Sequence, residues 1–413
     1  MMREYFEDLA SGIEKKLADD PKTRTPRKIY ALEIARLGQR LYSEDERVAW
    51  CGVAAPFDLL NAMGVTSCFV EFVGAMLAST GIAEASMEEA EQSGFGGDIC
   101  GYHRSIMGAA QNGLMPVPDF LVATSCPCSG GLATMENLAE KFRKDLFVLN
   151  VPQEPTSEGI SYLADQMRDM VAFVSDHTGK PLDDDTLRET IERTNLAREI
   201  MTDVYRLAQT VPSPANSMSL ANFGIVAALF LGSPQGIEVA RAYYDDFSEK
   251  VKKGVSGTKN ERLRLLWIQN RIQYKNPLIK FLENEFGAVI VADELNDITW
   301  DPIDYEDPYV GFAKRAISIA FNGWGTRRIS LLQKLAKQYR VDGAINPCHW
   351  GCRQGTGMRG LIGEGLKEIG TPVLNLEVDC VDSRSFSEGQ LKTRLEAFAE
   401  MLEGRKSQLR KSL

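Results

Sequence analysis

The residues best suited to chemistry are thiols at the ends of predicted strands. Pro347-Cys348-His349-Trp350-Gly351-Cys352-Arg353 sets two cysteines four residues apart around a histidine and a tryptophan. A strand expected over Val341–Ile345 leads into it, and a second, Val373–Asp379, leads into Cys380. Upstream, Phe120–Thr124 reads as a strand that delivers Cys126-Pro127-Cys128-Ser129-Gly130-Gly131, and Cys100 lies in the glycine-rich stretch Ser93–Gly101. Open α/β sheets build their sites at the C-terminal ends of parallel strands. Thiolates there suit a metal or an iron–sulfur cluster, whose ligands can come from distant loops. Neither pair has the Cys-x2-Cys spacing of a zinc ribbon or a thioredoxin. No His-x3-5-His accompanies them, which argues against a classical zinc finger.

Each of the eight cysteines can also be a small core residue. Cys68, inside a predicted strand, reads that way, and Cys128 fits either role. Cys100, Cys126 and Cys348 each leave an element into a Gly/Pro loop, which favours a ligand. Of the three histidines, His177 reads as a surface residue, while His103 and His349 neighbour candidate ligand cysteines and suit proton transfer or a supporting hydrogen bond. Asp58 opens a short helix near Cys51, either as a first-turn acid favoured by the helix dipole or as a carboxylate facing the cleft. Arg353, Arg359, Arg384 and Arg394 read as solvated charges, any one of which could hold a phosphate, and Arg353 is taken as the cofactor-binding candidate. Gly94-Phe95-Gly96-Gly97 fits neither a dinucleotide nor a P-loop spacing, so no nucleotide site is expected.

The elements that must position these groups come from patterning. Val48–Val53, Pro56–Gly64 and Val65–Val70 read as a β-α-β unit and hence a parallel sheet. Phe120–Thr124 and Asp145–Pro152 complete it. From Ser157 to Leu282 the period turns helical, with apolar residues at i, i+3 and i+4 through Asp183–Arg206. Strands then alternate with helices again, starting at Ala288–Ala292. The expected architecture is α/β: two doubly wound parallel-sheet domains with a helical insert. Boundaries fall at 1–46 for N-terminal helices, 47–156, 157–285 for the helical linking region, and 286–413. The 413 residues suit more than one core. A formal charge of −10 argues against a nucleic-acid surface. No apolar run approaches the length of a membrane span. The first twenty residues carry charge throughout, so no signal peptide and a reducing cytoplasm are expected, where cysteines stay free or bind metal.

Several blocks in order carry a resemblance: Cys51…Pro56-x-Asp58…Gly64, Asp98-Ile99-Cys100, Thr124-Ser125-Cys126, His177-Thr178-Gly179-Lys180, Pro347-Cys348-His349, Gly370-Thr371-Pro372…Glu377-x-Asp379, and Gly389-Gln390-x-x-Thr393-Arg394-x-Glu396-Ala397-Phe398-x-Glu400-Met401-Leu402. From about Arg47 to Leu402 the chain resembles the 2-hydroxyacyl-CoA dehydratase/benzoyl-CoA reductase family of iron–sulfur subunits. The resemblance implies two Rossmann-like domains and a [4Fe-4S] cluster on Cys100, Cys126 and Cys348 with one iron position open. It implies a separate ATP-hydrolysing activator that injects one low-potential electron, and a homologous partner subunit or self-pairing. The implied substrate is an acyl-CoA thioester, either dehydrated through a ketyl radical or reduced in an aromatic ring. Asp58, His103 and His349 are then the proton-transfer candidates, although Asp58 stands where the family block has glutamate. Cys51, Cys352 and Cys380 could hold a second cubane, but the mid-chain cysteines of the double-cubane branch are missing from 289–330. Two alternatives therefore stand: a double-cubane reductase of small molecules, and a non-catalytic electron-relay subunit.

Overall fold

The computed structural model describes residues 2–20, 23–221 and 223–412. It holds two four-stranded sheets, both wholly parallel. The first consists of β1 (Arg47–Cys51), β2 (Val65–Phe69), β3 (Phe120–Thr124) and β4 (Leu146–Leu149). The second consists of β5 (Leu263–Trp267), β6 (Ala288–Asp293), β7 (Gly343–His349) and β8 (Val373–Val378). The orders are β2-β1-β3-β4 and β6-β5-β7-β8, the same winding twice. Parallel neighbours need crossovers, and helices supply them. Each order reverses direction once, between β1 and β3 and between β5 and β7. Ligands of open α/β sheets bind beyond the strand ends at such reversals.

Successive strand residues enter opposite cores, so both faces of the sheets are covered. Val48 and Trp50 of β1 enter one core with Leu263, Leu265 and Trp267 of β5, so a single apolar layer joins the two sheets. Ala49 and Cys51 turn the other way, against the helix Ser157–Thr178. Leu266 turns towards the helices Asp184–Ala208 and Pro234–Lys253. The N-terminal helices Met2–Asp19 and Pro26–Leu41 pack as a hairpin, where a Cβ at Gly38 would lie 2.3 Å from the Phe6 ring, and the second helix packs on through Ile29 to the helices of the linking region. Among the described residues no helix is long and apolar enough to cross a membrane.

Two elements differ from the sequence reading. β5 lies inside the stretch read as helical linker, because Leu263-Arg264-Leu265-Leu266-Trp267 is buried on both faces and shows no alternation. A short continuous apolar run does not separate strand from buried helix. β7 starts two residues later than expected and continues four residues further, through His349, with all seven residues buried. That extension decides where Cys348 goes.

Candidate functional site

Three thiols begin helices at one cavity of about 370 Å3 between the two sheets: Cys100, Cys128 and Cys352. Cys100 holds the N-cap position of the helix Gly101–Gln111, without a capping bond from its side chain. Cys128 caps Ser129–Phe142, and its Sγ accepts from the Gly131 N–H at 3.3 Å. Cys352 caps Arg353–Gly357 and accepts from the Gly355 N–H at 3.4 Å. Cys128 follows β3 and Cys352 follows β7, each at the strand-order reversal of its sheet, while Cys100 comes after the two helices that succeed β2. Gly351 makes the approach possible. Its φ is +73°, and a Cβ there would sit 2.4 Å from the Cys100 backbone nitrogen.

The thiolate is the ligating form of cysteine, and N–H donors favour it. Burial opposes it and is the largest influence on all three, pushing each thiol up. The charge of Cys352 pushes Cys100 and Cys128 up further. Three buried like charges are unfavourable unless a cation sits among them. Soft thiolates select zinc, copper(I) or iron–sulfur centres. Among the described residues no three His, Cys, Asp or Glu side chains could hold a single metal ion. A cluster that offers each thiolate its own metal atom fits this wider donor set.

The fold does not draw together Cys100, Cys126 and Cys348, the set expected from the sequence. Cys126 turns into the first-domain core, where burial and then Cys128 push its thiol up to about 12. Cys348 sits within β7, paired in register with Glu377 of β8. Its Sγ–H faces Asn346 O at 3.7 Å and Asn375 Oδ1 at 3.6 Å, and its side chain is fully buried. The second set also disperses. Cys51 is in the first-domain core beside Ala49 O, Cys380 is buried against Asn270 O, and only Cys352 reaches the cavity.

Asp58 is fully buried and away from this cavity. Both its oxygens accept from Arg315, at 2.6 and 2.8 Å, and Thr194 donates to Oδ2 at 2.9 Å. Burial raises its pKa, but Arg315 and these bonds outweigh that and hold the carboxyl below its usual range. It ties the first domain to the helix Pro308–Ser318, and a locked carboxylate is a poor proton carrier. His103 does line the cavity, and burial lowers its pKa to about 4, so it is neutral there. His349 lies behind Cys100, its Nε2 3.2 Å from Sγ. Arg353 stands at the mouth, mostly in solvent, 3.4 Å from Asp98.

The sequence reading missed Glu71. It follows β2 at the start of the helix Val70–Thr80 and lines the cavity. Its Oε2 is buried without a hydrogen-bond partner, and burial raises its pKa from 4.5 to about 7. The folded metal-free chain therefore keeps a proton that the unfolded chain releases above pH 4.5, so stability falls as pH rises from 4.5 to 7. Glu71→Gln is expected to flatten this dependence and to stabilise the chain at pH 8 by about 2–3 kcal/mol. Urea unfolding at pH 5 and pH 8 reads it, and unchanged slopes in the variant would contradict it.

A second cavity of about 140 Å3 adjoins the first and shares Val53, Phe69, Leu295 and Phe321 with it. Its further wall is largely apolar, with Phe57, Ala316 and Ile319. The cation in that wall, Arg315, is engaged by Asp58, and Glu294 is engaged by Arg328.

Two parallel sheets and the helices after them bring three cysteines to one cavity, and the protein is a two-domain α/β protein. The chain belongs to the 2-hydroxyglutaryl-CoA dehydratase, D-component family, whose model matches residues 52–402. It is 24% identical over 377 residues to the (R)-phenyllactyl-CoA dehydratase alpha subunit of Clostridium sporogenes, covering 87% of this chain and 91% of that one. It is 24% identical over 387 residues to the alpha subunit of the lactoyl-CoA dehydratase of Anaerotignum propionicum, covering 87% and 91%. A subunit of the benzoyl-CoA reductase of Thauera aromatica is also 24% identical over 387 residues, covering 85% and 86%.

Proposed function

We propose that this chain is the cluster-bearing subunit of an enzyme acting on acyl-CoA thioesters, with a [4Fe-4S] cluster held by Cys100, Cys128 and Cys352. The observation that supports this most is the convergence on one cavity of three cysteines at helix N-termini. Bound there, the cluster would supply single low-potential electrons to a thioester carbonyl. Three protein ligands to a four-iron cluster would leave one iron without a protein ligand. Glu71, its Oε2 without a partner and its pKa raised by burial to about 7, is the group placed to take or give a proton at the substrate. His103, neutral at the same wall, can hydrogen-bond the carbonyl or a leaving hydroxyl. Arg353 at the mouth suits a phosphate of the CoA. Electrons would come from a separate ATP-hydrolysing activator, and a homologous subunit or a second copy would complete the enzyme.

The adjoining apolar cavity would take the acyl group. An acidic acyl tail would enter it without an unpaired cation in the wall, so an apolar or aromatic acyl group fits. Activated anaerobically with a dehydratase activator and partner, the enzyme is expected to favour 2-hydroxy-4-methylpentanoyl- or phenyllactyl-CoA over 2-hydroxyglutaryl-CoA. The preference in kcat/KM should be at least about a hundredfold, the cost of an uncompensated buried carboxylate. Equal turnover of the dicarboxylic thioester would contradict the assignment.

A further inference from the structure

Cys100 belongs to the first sheet domain and His349 to the second, and their side chains meet at 3.2 Å. His349 is the last residue of β7, its ring is fully buried, and the edge of Tyr102 packs on it with centroids 5.4 Å apart at 81°. The ring has two nitrogens and, when neutral, one proton. Nδ1 receives the backbone N–H of Cys380 at 2.9 Å. A proton on Nδ1 would oppose that donor. The Asp379 oxygen 3.6 Å away offers no relief, since it already accepts from the Val381 and Asp382 N–H groups at 2.8 Å each. The proton is therefore assigned to Nε2, which points at Cys100 Sγ.

We propose that His349 is a positioning residue whose Nε2–H donates an N–H···S hydrogen bond to Cys100, and that this bond raises the reduction potential of the cluster held there. The inference rests on the cluster reading above. The physical reason is differential. Reduction adds negative charge that is shared onto the cysteine sulfurs, so a donor aimed at one of them stabilises the reduced form more than the oxidised form. Because the bond spans the two domains, its length also follows any change in their separation.

The test is a redox titration of the reconstituted protein followed by EPR, with iron measured in parallel. His349→Phe keeps a ring against Tyr102 but removes the donor, and His349→Gln returns an N–H to the Nε2 position. His349→Phe should keep its iron and shift the equilibrium about tenfold towards the oxidised form, a potential about 59 mV lower for a one-electron couple. His349→Gln should recover most of that shift. An unchanged potential in His349→Phe with full iron overturns the proposal. Should His349→Phe not fold, the His103→Gln protein labelled with 15N-histidine decides. Pulsed EPR of its reduced cluster should show one weak imidazole nitrogen coupling. No nitrogen coupling, or the strong coupling of a directly ligated imidazole, overturns it. A wild-type chain that takes up no cluster refutes the underlying reading instead.

Discussion

Cys128→Ala, reconstituted anaerobically, is expected to fold, to lose its cluster, and to lose more than a hundredfold of its turnover. Cys126→Ala, two residues away, is expected to keep most of both. The contrast follows from orientation. Cys128 Sγ faces the cavity and accepts the Gly131 N–H, whereas Cys126 fills the core below the sheet. Substitutions that only disturb groups supporting a metal ligand cost about 10–100-fold, so loss of a ligand itself must exceed that. Cys100→Ala and Cys352→Ala should behave as Cys128→Ala does. Cys348→Ala should behave as Cys126→Ala, with a modest cost in packing. Iron content and circular dichroism on the same samples separate loss of cluster from loss of fold. A Cys348→Ala chain without iron beside a loaded Cys128→Ala chain would restore the set read from the sequence.

Asp58→Ala is expected to destabilise the fold by about 3–5 kcal/mol, the cost of leaving one partner of a buried ion pair alone. The Arg315 guanidinium would lose both its bonds to Asp58, and Thr194 would lose its acceptor. Protein that remains folded should keep its cluster, because Asp58 does not touch the thiol cavity. The pH dependence has a definite sign. The folded carboxyl titrates below its ordinary 3.8, so its contribution is complete above that pH and disappears as pH falls through the folded value. Chemical denaturation at pH 7 checks the magnitude. A cost under about 1 kcal/mol, the range of an exposed pair, would show that the pair is not buried.

The fold class was legible because the sequence repeats strand, glycine or thiol loop, and helix twice, and parallel sheets leave that pattern. β5 was not, since a strand buried on both faces shows no alternation to separate it from a helix. Cysteines were legible as the candidate chemistry, and Cys100 does line the cavity. The choice within Cys126-Pro127-Cys128 and within Cys348–Cys352 depended on where each strand stops and which way the chain then turns. A signal was present in both places. Cys128-Ser129-Gly130-Gly131 and Cys352-Arg353-Gln354-Gly355 each set a glycine three residues after the cysteine, and those glycine N–H groups are the donors to sulfur. At Gly355 a Cβ would meet the Gln269 side-chain amide, which would have to move aside. Glu71 left no such signal, because its importance lies in the missing partner, and only three-dimensional packing reveals that. Asp58 had the right position for a first-turn acid and the wrong neighbours for proton transfer.

The most direct test is anaerobic reconstitution of the chain followed by quantitation of iron and acid-labile sulfide per polypeptide. The account predicts about four of each, the content of one cubane on Cys100, Cys128 and Cys352. About eight of each would point to two cubanes. No retained iron in the folded chain would contradict the cluster reading altogether.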